Sequence, residues 1–235
     1  MTLTHCGSML RDFSTDNNQV YHVFNRGTEK RRIFISKKDY ERFFVNMVLF
    51  NTSGEVKRNL VRYDVSHPML HNKNDNPLVD ILSFCFMPNH YHLMLRQRLE
   101  NGISKYLQRL QMGYAKYFNL FYERSGNLFQ GSYKIVPITR ANQFQYSPLY
   151  IHLNPLELLE PGWEDKGIKN LKRAIKFLET YPWSSLKTYM LGLDAPYLET
   201  KTISTLYPSP EEWRDAVGDW LKDVHHPMLH KILLK

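Results

Sequence analysis

Apolar and polar positions along the chain fall into six successive patterns. Gln19-Val20-Tyr21-His22-Val23-Phe24 reads as a strand, closed by the turn-like Asn25-Arg26-Gly27. Ser36-Lys37-Lys38-Asp39 is a capping-box signal, and Tyr40, Phe43, Phe44, Met47 and Val48 follow at helical spacing. Leu78 to Phe86 is nearly continuous apolar sequence, as expected of a strand covered on both faces. Met87-Pro88-Asn89 makes a tight connection, and His90-Tyr91-His92-Leu93-Met94-Leu95 returns as the partner strand. A second helix starts near Gly102 with the stripe Ile103, Leu107, Leu110, Tyr114, Phe118 and Phe121, and ends by Gly126. Ser132 to Val136 reads as another strand.

Strand, helix, strand, strand, helix, strand is the split β-α-β, ferredoxin-like order: an α+β fold with an antiparallel sheet and helices on one face. A short helix carrying Leu149 to Asn154 follows and stops at Pro155. The chain thus divides into an irregular segment 1–18, a core at 19–155 with a polar insertion at 55–77, and a helical extension at 156–235. In the extension, 168–180 and 210–224 look helical, the latter with Ser209 as cap and Pro210 in the first turn. The string His-Pro-Met-Leu-His occurs at 67–71 and again at 226–230, too short to be a structural repeat.

Composition narrows the function classes. A hydrophobic share of 43% and a charged share of 23% are those of a soluble globular protein. No apolar run reaches the ~20 residues of a membrane span and no secretory pattern opens the chain, so no membrane partner and a cytoplasmic, nucleoid-associated location are expected. Cys6 and Cys85 are not expected to pair. Lys plus Arg exceed Asp plus Glu by 31 − 23 = 8, which favours a polyanionic partner. Tyr, Phe and Arg interleaved on a basic surface could stack bases while cations hold phosphates.

The candidate chemistry centres on His90 and His92. Alternate strand positions share a face, so both imidazoles project together and Tyr91 projects away. Two such imidazoles could chelate one divalent ion, although the spacing alone is equally met by two hydrogen-bonded histidines. The chain has no paired cysteines and no His-Glu-x-x-His helix, so a zinc hydrolase has little support. A tyrosine nucleophile is the alternative, most compactly built with a third ligand at i+4 on one helix.

Among the 15 tyrosines, Tyr106, Tyr114, Tyr117 and Tyr189 are followed at i+4 by Leu or Phe. Tyr21 with Asn25 falls on a strand, which would spread the pair by roughly 13 Å. Tyr63 with His67 lies in the polar insertion, and Tyr207 with Glu211 straddles a helix start. Tyr150 with Asn154 remains, on the helix that precedes Pro155. Taken singly, each also reads as ordinary structure: a core aromatic and a helix C-terminus.

Together these residues resemble the HUH family of single-tyrosine transposases, and within it the REP-associated tyrosine transposases. The resemblance spans about residues 19–190. It rests on Asn25-Arg26-Gly27, Met87-Pro88-Asn89-His90-Tyr91-His92-Leu93, Gly126-Asn127-Leu128-Phe129-Gln130-Gly131, Tyr150-Ile151-His152-Leu153-Asn154-Pro155 and Tyr181-Pro182-Trp183-Ser184-Ser185. It implies that His90, His92 and Asn154 bind Mg²⁺ or Mn²⁺ and that Tyr150 is the nucleophile. The expected reaction is cleavage and rejoining of single-stranded DNA beside a REP-like hairpin through a 5′-phosphotyrosine, by a monomer or homodimer. Where the family has Arg before the aromatic-Lys pair, this chain has Ser132-Tyr133-Lys134, a departure that bears on DNA preference. Candidate DNA contacts are Asn25, Arg26, Lys105, Arg109, Lys116, Arg124 and Lys134. Competing readings are a DNA-binding regulator without catalysis and a replication-initiator or relaxase-type nickase, the latter usually carrying further domains.

Overall fold

The computed structural model describes residues 17–56 and 76–222. Most of the insertion, Cys6, the Tyr63–His67 pair and both His-Pro-Met-Leu-His strings lie outside them. The expected order is present: β1 (Val20–Arg26), α1 (Lys37–Leu49), β2 (Val79–Met87), β3 (His90–Gln97), α2 (Gly102–Phe121) and β4 (Lys134–Pro137). The four strands form one antiparallel sheet in the order β2-β3-β1-β4.

Side-chain alternation gives the sheet two apolar faces. Tyr21, Val23, Tyr91, Leu93 and Leu95 face α1 and α2, where Phe34, Phe43, Met47, Ile103, Leu107, Leu110, Tyr114 and Phe118 complete one core. Phe121, read as the end of the α2 stripe, is instead 55% exposed, its ring packed against those of Tyr117 and Tyr122. At the start of α1, Asp39 accepts from the Ile35 and Ser36 amides at 2.8 and 2.7 Å and from the Tyr117 and Tyr122 hydroxyls. A fully buried carboxylate is tolerable because these donors replace water.

The second face carries Val20, Leu82, Cys85, Met87 and Met94. It is covered by α3 (Ala141–Leu153) and by the extension α4 (Leu156–Leu159), α5 (Trp163–Lys166), α6 (Leu171–Thr180), α7 (Leu186–Leu191), α8 (Thr200–Ser204) and α9 (Pro210–Lys222). Cys85 is a buried free thiol within it. Helix α3 begins at Ala141, well before Pro148, since Gln143 accepts from the Thr139 and Arg140 amides and so caps the start. Among the described residues, no helix is long and apolar enough to cross a membrane.

The extension also covers the outer edge of β2. Trp183 accepts from the Phe86 amide at 2.8 Å, the Ser185 and Glu199 amides donate to Phe84 and Ile81 at 3.0 and 2.9 Å, and the Tyr181 hydroxyl donates to the Phe86 carbonyl at 2.7 Å. An edge strand whose polar groups are occupied this way cannot pair with another chain. Tyr181-Pro182-Trp183-Ser184-Ser185 is therefore an edge seal.

One close approach is decisive for α2. A Cβ at Gly102 would meet the Leu78 carbonyl oxygen at 2.3 Å, and that carbonyl is held by the Arg98 amide at 3.2 Å. Ala in a helix normally gains about 1 kcal/mol over Gly. Here Gly102→Ala is expected to lose about 1–3 kcal/mol instead, as overpacked sites do. Urea unfolding decides it: a midpoint equal to or above wild type would mean that the backbone can shift.

Candidate active site

His90 and His92 occupy the start of β3 on the face turned to α3, and Tyr91 on the other face is fully buried among the aromatics of the first core. The two imidazoles lie edge to face with centroids 5.0 Å apart. Across the sheet, His92 stands opposite Phe24 on one side and Cys85 on the other. These apolar neighbours leave His92 only 5% exposed.

Helix α3 brings Tyr150 and Asn154 onto this pair. The Tyr150 ring is 5.9 Å from His92 and edge-on to it. Asn154 closes the helix: its Nδ2 donates back to the Tyr150 and Ile151 carbonyls at 2.9 and 3.3 Å, serving acceptors that a helix end leaves over. The same side chain is a hydrogen-bond partner of His90. With Nδ2 committed to the helix, the atom facing His90 is Oδ1.

Asn89 settles the proton on His90. Its Nδ2 donates to the Lys30 carbonyl at 3.3 Å, so its Oδ1 is the atom 2.6 Å from His90 Nδ1, and Nδ1 carries the hydrogen. Nε2 of His90 then keeps its lone pair. Burial pushes the His90 imidazole down to about 4, Asn154 opposing and the charge of Arg26 reinforcing the shift, so the ring is neutral at pH 7.

Among the described residues, no cluster of three or more His, Cys, Asp or Glu side chains is placed to hold a metal ion. Two imidazoles and an amide oxygen nevertheless form a donor set that fits a divalent ion whose remaining ligands come from a substrate.

Tyr150 is partly buried, and its hydroxyl is raised above the usual phenol range, first by burial and then by the negative charge of Glu164. The alternatives from the i+4 comparison are elsewhere. Tyr106 and Tyr114 are fully buried on the opposite face, donating to the Met47 and Ile33 carbonyls. Tyr21 faces that core too, and Tyr207 donates to the Gln145 carbonyl.

Residues 17–154, running from just before β1 to Asn154 itself, match the model of the family described as transposase IS200 like. The chain belongs to the IS200-like transposase family. A solved REP-associated tyrosine transposase bound to a REP hairpin is similar at 14% identity with a TM-score of 0.48, over 83% of this chain and 93% of that one. No curated protein matches the chain.

Within this IS200-like transposase, the candidate DNA contacts divide by face. Arg26 ends β1 opposite His90, exposed, with its Nε bonded to Gln130. Lys134 lies exposed on β4, its ammonium 5.9 Å over the Phe24 ring. Both border the histidines. Lys105, Arg109, Lys116 and Arg124 sit on or just beyond α2, which packs on the opposite face, and so do not join the site. Arg109 is engaged with the Thr52 and Gly54 carbonyls, and Arg124 with Asn119. Asn25, expected in a turn, lies within β1 and is 4% exposed; its Oδ1 accepts from the Arg26 amide and its Nδ2 donates to the Gly131 carbonyl at 3.2 Å. Its side chain ties the strand to the Gln130-Gly131 loop.

His22 was not among the residues singled out by sequence. It lies on β1, on the histidine face, with Nε2 2.9 Å from His92 Nδ1. The available signal was a histidine alternating with Val20 and Phe24 in an otherwise apolar strand; spacing along β1 alone did not give its register against His92.

Proposed function

We propose that this chain is a metal-dependent single-stranded DNA endonuclease and strand transferase, in which Tyr150 is the nucleophile and His90, His92 and Asn154 hold Mg²⁺ or Mn²⁺. One observation carries this reading: a helix places a tyrosine and an asparagine one turn apart against two histidines of the central sheet. A hydroxyl, two imidazoles and an amide are the groups that a metal-assisted attack on phosphorus would use, which supports the reading.

In the reaction, Tyr150 Oη attacks phosphorus and loses its proton, the P–O3′ bond breaks, and the departing oxygen takes up a proton as a 3′-hydroxyl. The product is a 5′-phosphotyrosine. One phosphoester replaces another, so attack by a second 3′-hydroxyl rejoins strands without ATP. The divalent ion, when bound, would draw charge from the scissile phosphate and favour the phenolate. The protein supplies the rest. Phe24 and Met87 stand beside His92 and His90 as apolar cross-strand neighbours, and Arg26 and Lys134 offer cations to flanking phosphates.

The sequence resemblance makes a hairpin flanked by single strands the substrate, and the similar solved protein was itself bound to a REP hairpin. A labelled hairpin oligonucleotide with such flanks, incubated with the protein and Mn²⁺, is expected to give a protein–DNA adduct stable to denaturing electrophoresis. Chelation should abolish it. If no hairpin or linear single strand yields an adduct, the chain binds DNA without cleaving it, and the proposal is wrong.

A further inference from the structure

His22 is 1% exposed and stacks on His92 with centroids 5.1 Å apart and planes inclined by 20°. The register sets Phe24 opposite His92, which makes His22 the diagonal neighbour of His92 on the same face. A bond between two neutral imidazoles shares one proton, so one ring donates and the other accepts. A histidine that binds a cation through Nε2 keeps a lone pair there and carries its proton on Nδ1. In His92 that proton is directed at His22 Nε2, 2.9 Å away.

We propose that His22 is a positioning residue: its Nε2 accepts the Nδ1–H of His92, fixing that ring's tautomer and rotation so that Nε2 turns toward the candidate cation site. This rests on the reading of His90, His92 and Asn154 as ligands. It also gives the two ligands matched support. Asn89 accepts from His90 Nδ1, and His22 accepts from His92 Nδ1. Partners of this kind orient metal-binding histidines generally, and they are usually carboxylates or backbone carbonyls. A neutral acceptor suits this place. The His22 ring also abuts Tyr150 edge-on at 5.8 Å, where a carboxylate would further oppose ionisation of the phenol.

The test is Mn²⁺ affinity of the full chain without DNA, read from the electron paramagnetic resonance of free Mn²⁺. It compares wild type, His92→Ala, His22→Leu and His22→Gln, with circular dichroism confirming the fold of each. His22→Leu removes the acceptor and is expected to weaken Mn²⁺ binding about 10–100-fold. His22→Gln retains an acceptor oxygen and should recover most of that loss. If His22→Leu binds like wild type while His92→Ala does not, the inference is overturned and the ligand reading stands. If both His22 variants weaken binding equally, the ring acts only through packing and the inference again fails. If wild type and His92→Ala bind Mn²⁺ alike, the ligand reading itself has failed.

Discussion

If Tyr150 is the nucleophile as proposed, Tyr150→Phe should lower the rate of adduct formation by at least ~10³-fold, because the substitution deletes the hydroxyl that would attack. The aromatic ring that packs edge-on against His22 and His92 is retained, so the fold and hairpin binding should survive. That combination separates chemistry from assembly. Binding of the labelled hairpin, followed by gel shift, should change by less than about twofold, while the denaturation-resistant band disappears. Tyr114→Phe is the matched control. Its hydroxyl donates to the Ile33 carbonyl deep in the opposite core, and its removal should cost about 1 kcal/mol of stability and leave cleavage intact. An adduct that persists in Tyr150→Phe and vanishes in Tyr114→Phe would place the reaction on the other face of the sheet and refute the assignment.

A large loss of stability is expected in mild acid. His152 is fully buried, its Nε2 2.8 Å from the Ser185 hydroxyl, and burial holds it down to about 3. In the unfolded chain it titrates near 6.5. Above pH 6.5 neither state binds the proton, and stability is at its full value. Below it the unfolded state takes up a proton that the folded state refuses, so stability falls as pH drops from 6.5 toward 3. Between pH 7 and pH 5 this one residue should cost roughly 2 kcal/mol. His90, held down to about 4, acts in the same direction over the upper part of that window. Urea midpoints measured across pH 4–7 in wild type and His152→Gln check this. The variant should be less stable at pH 7 but distinctly flatter below it. Parallel curves would mean that His152 is not the group that titrates.

His152 also shows where sequence reading stopped. It lies between Tyr150 and Asn154, and helical spacing placed those two on one face without saying what the intervening side chain meets. The Ser185 hydroxyl accepts from the Phe84 amide at 2.9 Å and bonds His152, so the helix that carries Tyr150 is tied to β2 through a residue 33 positions further on. Such a link has no periodic signature. The patterns that were legible are local ones: the capping box at Ser36, the β2–β3 hairpin around Pro88 and Asn89, the α2 stripe as far as Phe118, and the i, i+4 pair on α3. Each depends on residues a few positions apart. His22 depends on the register of β1 against β3, and the remoteness of Lys105, Arg109, Lys116 and Arg124 depends on which face α2 covers. Neither is given by spacing along one element. The early start of α3 was hidden because Pro148 reads as a break, whereas Gln143 caps the helix upstream and carries it through.

The seal on β2 bears on what can be inherited separately. Residues 17–154 contain every atom of the candidate site and are all that the family model spans. Yet the border of the sheet behind His90 and His92 is closed by Trp183, Ser185 and Glu199, and the roof over α3 by Leu178, Tyr189 and Trp213. The portion that defines kinship is therefore smaller than the portion that makes a self-sufficient body. A relative that dispensed with the later helices would have to close the same border with some other piece of protein.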